Sequence, residues 1–308
     1  MQENHKMHYT KPALSLDQQI ELLKKRGLCI FDEEKAKEFL RQTGYFRLTG
    51  YFKYYQNIEN NQFYDWITFE QITNLYAFDE RLRELALQAI AKIEVSLKAQ
   101  LDIMSIQYGC FWYTNEQHFA LNDEKSKEIY SNFINIAKEK KEKATSTFWK
   151  AYREKYNKED FLPSRMLLEE CMIGEVVNLY KLLNIKDSKQ IASNYATYFV
   201  DLRKRLQLIV NVRNISAHCA RLRNRIFIIR PRTEDVIFKT SYPQEIGGNG
   251  KLEVISNFFT FTLITNYLLQ QIVSENLWLK KLEELFNEFP NVTKNIMGFC
   301  DDWKEKIK

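Results

Sequence analysis

Residues that interrupt helices are scarce in this chain. Its 308 residues include 9 glycines and 5 prolines, and these two types are the strongest local breakers of regular structure. From Thr68 to Tyr108 there is no proline, apolar side chains recur at the spacing of a buried helical face, and Gly109 closes the segment. Thr68 and Gln71 fit a capping box at its start. The sequence therefore predicts a mostly α-helical fold that contains one helix of about forty residues.

Helices are also predicted on both sides of this long segment. Residues 15–26 and 32–43 begin with a capping residue, Ser15 and Asp32, and each is followed by a glycine. Residues 226–251 hold two of the five prolines and three glycines, which predicts a loop or short hairpin inserted between helices. The remaining helices are predicted over 123–143 (lysine-rich and exposed), 165–183, 198–217, 251–273, 274–289 and, as a final short helix, from 291 onward.

Aromatic side chains crowd residues 43–55, TGYFRLTGYFKYY, where Gly-Tyr-Phe occurs twice. The preferred interpretation is that these rings pack between helices. The alternative is that they stack on unpaired bases, since Arg47 and Lys53 lie among them. We expect residues 1–66 to form an N-terminal helical region with this aromatic segment, and 67–308 to form a second helical domain with the insertion at 226–251.

The composition excludes several classes of protein. With 45% hydrophobic and 14% aromatic residues, the chain is globular rather than disordered. Its five cysteines are scattered without a C-x-x-C pair, so we expect no disulfide framework, no metal site and a reducing cytoplasm. No glycine-rich phosphate loop or H-E-x-x-H motif occurs, and no cofactor is expected. The N-terminus lacks the apolar core of a signal peptide, and the apolar stretch 258–273 is too short and polar to span a membrane.

Positive charge is concentrated in one short segment. Residues 201–233 carry nine basic residues and one acid, which gives this segment +8 and leaves −3 for the rest of a chain whose net charge is +5. Eight of the nine are arginines, whose planar guanidinium suits phosphate contacts. The segment predicts a nucleic-acid partner, and a solvated basic face is the alternative. The nine are Arg203, Lys204, Arg205, Arg213, Arg221, Arg223, Arg225, Arg230 and Arg232.

Within this segment, Arg213 and His218 form an R-x4-H pattern, and Asn214 follows the arginine. Five residues along a helix rotate the side chain by about 140°, so Arg213 and His218 cannot point the same way from one straight helix. Asn214 and His218, four residues apart, share a face. Two such helices related by a two-fold axis would surround one cleft with both arginines and both histidines.

These residue types suffice for cleavage of RNA by its own 2′-hydroxyl. Histidine suits both proton transfers, because its ordinary pKa is about 6.5, and arginine stabilises the charge that develops on the phosphate oxygens. The reaction needs no metal. An isolated R-x4-H match is weak, and the alternative is a histidine at a helix end that satisfies backbone carbonyls. The adjacent Asn214, the surrounding arginines and the continuation RLRNR, residues 221–225, strengthen the match.

Three stretches carry a resemblance to a known family. RNISAHCARLRNR, residues 213–225, resembles the R-N-x-x-A-H-x-x-R-x-x-N-R stretch of Abi (abortive-infection) proteins. TGYFRLTGYF, residues 43–52, resembles their G-Y-[FY]-R-L-x-G-Y motif, and residues 78–101 resemble their long helix with its A-I-x-x-I-E-V core. The chain departs from the family at Cys219 and Arg223, where relatives often have a second histidine and a tryptophan.

The resemblance implies a HEPN-like helical bundle that pairs as a homodimer. It further implies a metal-independent endoribonuclease that halts growth of phage-infected bacteria, leaves 2′,3′-cyclic phosphate ends and is restrained by a partner such as an RNA. The alternative function is a HEPN module that grips structured RNA without cutting it. Glu94, inside the long helix, has two candidate partners: Arg213, which it would orient, and Lys98. The predicted catalytic residues are Arg213, Asn214 and His218, and the predicted RNA contacts are Arg203, Arg205, Arg221, Asn224 and Arg225.

Overall fold

The computed structural model describes residues 12–143, 147–156, 158–238, 244–246 and 251–307. Helices dominate it, and its only sheet among these residues has two short strands, which confirms the predicted mostly α-helical fold. The chain divides into two compact units, Met1–Glu80 and Arg81–Lys308. The predicted division into domains of residues 1–66 and 67–308 remains a prediction.

The first unit begins with two helices that end where the sequence predicts. α1 spans Leu16–Lys25, and the Ser15 side chain closes a capping box with Gln18. α2 spans Glu33–Thr43 and is capped by Asp32, whose carboxylate accepts a hydrogen bond from the Lys35 backbone. Side-chain caps at the first turn and glycine after the last turn are therefore sufficient to locate both helices.

The aromatic segment forms a third helix, α3, which spans Tyr45–Phe52. Tyr51 and Phe52 are buried, and the Tyr51 hydroxyl donates a 2.7 Å hydrogen bond to the carboxylate of Asp79. The packing interpretation is confirmed for these two rings. Phe46 differs, because 89% of it is exposed, and base stacking by that ring stays a prediction.

The long helix is present but shorter than predicted. α4 spans Phe69–Asp102, with Thr68 and Gln71 in the predicted capping box, and α5 follows over Met104–Tyr108. Ile103 lies between them, and its backbone carbonyl accepts a hydrogen bond from the Ile106 backbone, which tightens the chain into a turn. The long apolar pattern continues through this turn, so periodicity alone does not detect it.

The second unit continues with shorter helices. Residues 165–183 were predicted as one helix but form two, because Cys171 and Met172 adopt extended backbone angles and Glu175 caps the second helix. Two helices, α7 and α10, were not predicted. The helices up to the candidate site are α6 (Glu124–Lys143), α7 (Thr147–Lys155), α8 (Ser164–Glu170), α9 (Ile173–Leu182), α10 (Ile185–Ser193) and α11 (Phe199–Ala217), with 3-10 turns at Trp112–Thr114 and Glu116–His118.

Most lysines of α6 are exposed, as predicted, but the helix also buries Tyr130, Phe133 and Ala137. These three positions follow the spacing of one helical stripe, which packs against α8 and α9. The helix is therefore amphipathic, and the predicted exposure applies to its lysine-bearing face only.

Residues 218–238, which follow α11, form no helix or strand, and two short strands come later in the chain. β1 (Gln244–Ile246) and β2 (Leu252–Val254) are antiparallel, with Ile246 opposite Leu252, which agrees with the short hairpin predicted near 226–251. Residues 239–243 and 247–250 of that prediction lie outside the described residues. The Arg230 guanidinium contacts the carboxylates of Glu245 and Glu253, which face each other across the strands.

Two further helices complete the fold. α12 (Phe258–Ile272) begins at a capping box of Asn257 and Thr260, so it starts later than the predicted residue 251. α13 spans Trp278–Glu288, and the predicted final helix is reduced to a 3-10 turn at Asn295–Met297. Throughout the described ranges, no helix is both long and apolar enough to cross a membrane.

A buried ion pair anchors the irregular segment to α11. The Arg205 side chain is fully buried, and its Nε donates a 2.9 Å hydrogen bond to one carboxylate oxygen of Asp235 while Nη2 donates to the other. The same guanidinium lies 4.5 Å from the centre of the Tyr267 ring on α12. Arg205 therefore connects α11, the segment after it and α12 at one point.

Removal of the acid from this pair should destabilise the protein strongly. In Asp235→Ala the buried guanidinium keeps its charge without a counter-ion, so we expect a loss of about 3–5 kcal/mol in the free energy of unfolding. The matched control is Glu288→Ala, which breaks the half-exposed pair with Arg81 (2.9 Å) and should cost less than about 1 kcal/mol. Urea denaturation followed by circular dichroism measures both, and equal losses would contradict the anchoring role of the pair.

Candidate active site

The three predicted catalytic residues lie at the C-terminal end of α11. Ala217 is the last helical residue, and His218 follows as the cap with φ −83° and ψ 11°. The His218 backbone N–H donates a 3.0 Å hydrogen bond to the carbonyl of Asn214. Cys219 then turns the chain with φ +52°, in the left-handed region. His218 is thus held by the last turn of the helix, and the chain leaves the helix directly after it.

Asn214 connects the other two residues. Arg213 Nη1 donates a 3.3 Å hydrogen bond to the side-chain oxygen of Asn214, while the Asn214 carbonyl holds the backbone of His218. Arg213 and Asn214 are therefore linked through their side chains, and His218 follows one helical turn later, at the end of α11.

Burial on the opposite side of the helix fixes this arrangement. Val212, Ile215 and Ser216 are buried, whereas Asn214 and His218 are exposed. The buried residues anchor the last two turns of α11 against the core, so the exposed edge has a defined direction. The negative end of the helix dipole also favours cationic groups here. One copy therefore presents Asn214 and His218 on an exposed edge of the helix.

Of its two candidate partners, Arg213 and Lys98, Glu94 pairs with Lys98. Its carboxylate lies 2.9 Å from the amino group of Lys98, one helical turn away on α4. Both side chains are partly buried, which strengthens a pair of this spacing relative to an exposed one. The prediction that Glu94 orients Arg213 is therefore replaced by a pair within α4.

The prediction that Arg205 contacts RNA is wrong. None of its side chain is exposed, one edge of its guanidinium is paired with the Asp235 carboxylate, and the Tyr267 ring lies against it. The basic count of the segment could not reveal this, because Asp235 lies two residues beyond the end of the segment. Arg205 has a structural role instead.

Arg203 is also largely committed to the fold. Its Nη2 donates 3.0 Å hydrogen bonds to the Leu183 carbonyl and to the Ser188 hydroxyl, and burial lowers the pKa of its guanidinium. Arg221 is partly buried, whereas Asn224 and Arg225 are exposed. Of the five predicted RNA contacts, Asn224 and Arg225 are exposed and Arg203 and Arg221 are partly exposed, and the role stays a prediction for these four.

The charge of the basic segment is partly neutralised in the folded chain. Arg232 lies 3.5 Å from carboxylates of Asp201 and Glu234, and Arg230 pairs with Glu245 and Glu253. Most of these acids follow the segment in sequence and return to it through the loop and hairpin. The value of +8 therefore overstates the positive charge that a ligand meets. The pair Glu234-Asp235, directly after the segment, is the sequence feature that could have indicated this neutralisation.

Arg223 is buried, with 3% of its surface exposed, and its Nη2 lies 3.5 Å from the Thr293 carbonyl. This is the position at which relatives often have a tryptophan. A large side chain in the core is compatible with either residue, because the aliphatic part of arginine packs as an apolar group. The departure from the family motif at this position is thus a change in packing near the site.

Cysteine and histidine do not form a metal site in the described part of the chain. The five cysteines are free thiols, and no group of three or more histidine, cysteine, aspartate or glutamate side chains there could hold a metal ion. His118 stacks on Tyr108, with ring centres 4.0 Å apart.

Two arginines of the same motif should respond differently to truncation. Arg223→Ala removes a buried side chain and its hydrogen bonding, so we expect a loss of about 1–3 kcal/mol in the free energy of unfolding. Arg225→Ala removes an exposed side chain and should change stability by no more than about 0.5 kcal/mol. Chemical denaturation of both variants measures the difference. A stable Arg223→Ala protein would contradict the structural role of this residue.

Comparison with known proteins agrees with these observations. The family model described as Abi-like protein matches residues 38–224, from α2 through the candidate site, whereas the hairpin, α12 and α13 lie beyond the match. Searches of curated proteins and of solved structures found no match. Since residues 38–224 make up more than half of the 308 residues, the chain belongs to the Abi-like protein family.

Proposed function

We propose that this protein is a metal-independent endoribonuclease of the HEPN type that acts in bacterial abortive infection. Membership of the Abi-like family supports the role in abortive infection. The observation that carries the catalytic part is that the last turn of α11 holds Arg213, whose guanidinium is hydrogen-bonded to Asn214, and ends at the exposed His218. The five free thiols suit action in the reducing cytoplasm.

The proposed reaction is an internal transesterification of RNA. A base removes the proton from a 2′-hydroxyl, the 2′-oxygen attacks the adjacent phosphorus, and the bond from phosphorus to the 5′-oxygen breaks. An acid gives a proton to the departing 5′-oxygen. The products are a 2′,3′-cyclic phosphate and a 5′-hydroxyl, and no metal or cofactor takes part. His218 is the group with the chemistry for these proton transfers.

Arg213 is proposed to hold the non-bridging phosphate oxygens. Negative charge grows on these oxygens as the 2′-oxygen attacks, and a fixed guanidinium stabilises it without reorganisation during the reaction. Asn214 is proposed to position Arg213, because its side-chain oxygen accepts the 3.3 Å hydrogen bond from Nη1. The pair would therefore be aligned before RNA binds.

The geometry of the reaction favours two copies at one site. The attacking and departing oxygens lie on opposite sides of the phosphorus, so the base and the acid must approach from opposite sides. One copy offers one exposed His218, on an open edge of α11. We therefore propose a homodimer in which two edges enclose the RNA, with Asn224 and Arg225 as exposed contacts to it. An RNA that restrains the enzyme before infection is a further part of the proposal.

Substitution at the motif should abolish cleavage. Arg213→Ala removes the oxyanion contact and His218→Ala removes the proton-transfer group, so each should reduce the rate about a hundredfold or more. The assay uses single-stranded RNA with EDTA present, and mass spectrometry of the products should show 2′,3′-cyclic phosphate ends.

The matched control for His218→Ala is His118→Ala, which removes the other histidine in the described part of the chain. His118 lies outside the motif in the sequence, and its ring stacks on Tyr108. This variant should therefore cut RNA at the normal rate. Unchanged cleavage by both motif variants would overturn the proposed function. Intact RNA with the unaltered protein, together with tight binding, would favour the module that binds RNA without cutting it.

A further inference from the structure

A second group of cations lies toward the other end of α11. Lys125 is on α6, Lys181 is on α9, and Arg203 and Lys204 are on α11; we name these four residues the basic cluster. Among the described residues, none of them forms an ion pair with a carboxylate. Three separate helices therefore bring four positive charges together without a neutralising partner in the described chain.

Hydrogen bonds hold the three helices in this arrangement. Arg203 reaches the Leu183 carbonyl at the end of α9 and stacks 5.1 Å from the centre of the Phe199 ring. The segment before α6 is also hydrogen-bonded to the end of α9, because the Ala120 backbone N–H donates a 2.7 Å hydrogen bond to the Leu182 carbonyl. These contacts hold Arg203 and the neighbouring backbone in place, and Lys125 and Lys204 extend from the same helices as exposed side chains.

Electrostatics agree with this arrangement. Burial lowers the pKa of the Lys181 amino group, and the charges of Lys125, Arg203 and Lys204 lower it further. Glu124, next to Lys125 in sequence, pairs with Lys127 at 2.9 Å, and Asp187, on α10, accepts hydrogen bonds from Tyr108 and Asn184. An anion bound at the cluster would relieve this mutual repulsion.

The basic cluster and the candidate active site lie on one side of α11. Lys204, Asn211 and His218 are spaced by seven residues, which is close to two turns of an α-helix, so they follow one stripe. With a rise of about 1.5 Å per residue, Lys204 and His218 are separated by roughly 21 Å along the helix axis. A ligand that contacts both ends must be an extended polyanion.

We propose that the basic cluster binds backbone phosphates of single-stranded RNA several nucleotides away from the bond that is cut. The inference rests on the proposed function, because RNA is the polyanion on which that function acts. The cluster would position long RNA along α11 and contribute little to the binding of very short RNA. It also supplies the phosphate contact that Arg205, being buried, cannot make.

The test compares two pairs of exposed lysines. Lys125→Gln with Lys204→Gln removes two charges of the cluster, and Lys92→Gln with Lys280→Gln removes two exposed lysines on α4 and α13 as the control. All proteins also carry His218→Ala, so that bound RNA is not cut. Fluorescence anisotropy measures the affinity for an oligouridylate of about twenty nucleotides and for one of about four nucleotides over a range of salt concentrations.

The cluster variant should bind the long RNA about tenfold more weakly at low salt and bind the short RNA as the control does. Its slope of log affinity against log salt should fall by about 0.7 for each charge removed. Equal affinities and slopes for the cluster and control variants would overturn this inference even if the unaltered protein cuts RNA. If the unaltered protein does not cut RNA but the cluster variant alone binds RNA more weakly, the proposed nuclease activity is overturned and RNA binding by the basic cluster is supported.

Discussion

The buried ion pair of Arg205 and Asp235 closes a loop of chain around the candidate active site. Arg205 lies in the second turn of α11, the helix runs on to Ala217, and the chain then returns so that Asp235 reaches the same guanidinium. A buried charge without a partner is costly, so folding selects the arrangement in which both groups meet. Because the pair joins the start of this loop to its end, it limits the course that the chain can take between Arg205 and Asp235.

The last turns of α11 combine a buried and an exposed side, and this division accounts for the properties of the site. Val212 and Ile215 fix the helix in the core, while Asn214 and His218 face solvent. An exposed edge suits a substrate as large as RNA, which cannot enter a small enclosed pocket. The same exposure leaves one copy without a second proton-transfer group on the far side of a bound phosphate, which is why the proposed enzyme requires two copies.

Local features of the sequence predicted much of this fold, and contacts between distant residues account for most of the differences. Ser15, Asp32 and Thr68 cap helices through hydrogen bonds to residues three positions away, so their effect can be inferred from the sequence. The sequence likewise predicted a helix over 198–217, and Arg213, Asn214 and His218 lie at its end. The burial of Arg205 depends on a residue thirty positions away, and the break at Cys171 has no proline or glycine to announce it. The count of basic residues therefore identified the charged segment, but it also led to a predicted RNA contact for Arg205, which is buried.

The central claim, that two copies form one site, is tested most directly by mixing active and inactive subunits. Unaltered protein and His218→Ala protein are co-expressed in equal amounts with different tags, and the RNA cleavage rate of the mixed population is compared with that of the unaltered protein. If each site needs His218 from both copies, only dimers of two unaltered subunits are active, and the rate should be about one quarter. A rate of about one half would show that each copy cuts RNA independently, and it would contradict the shared site.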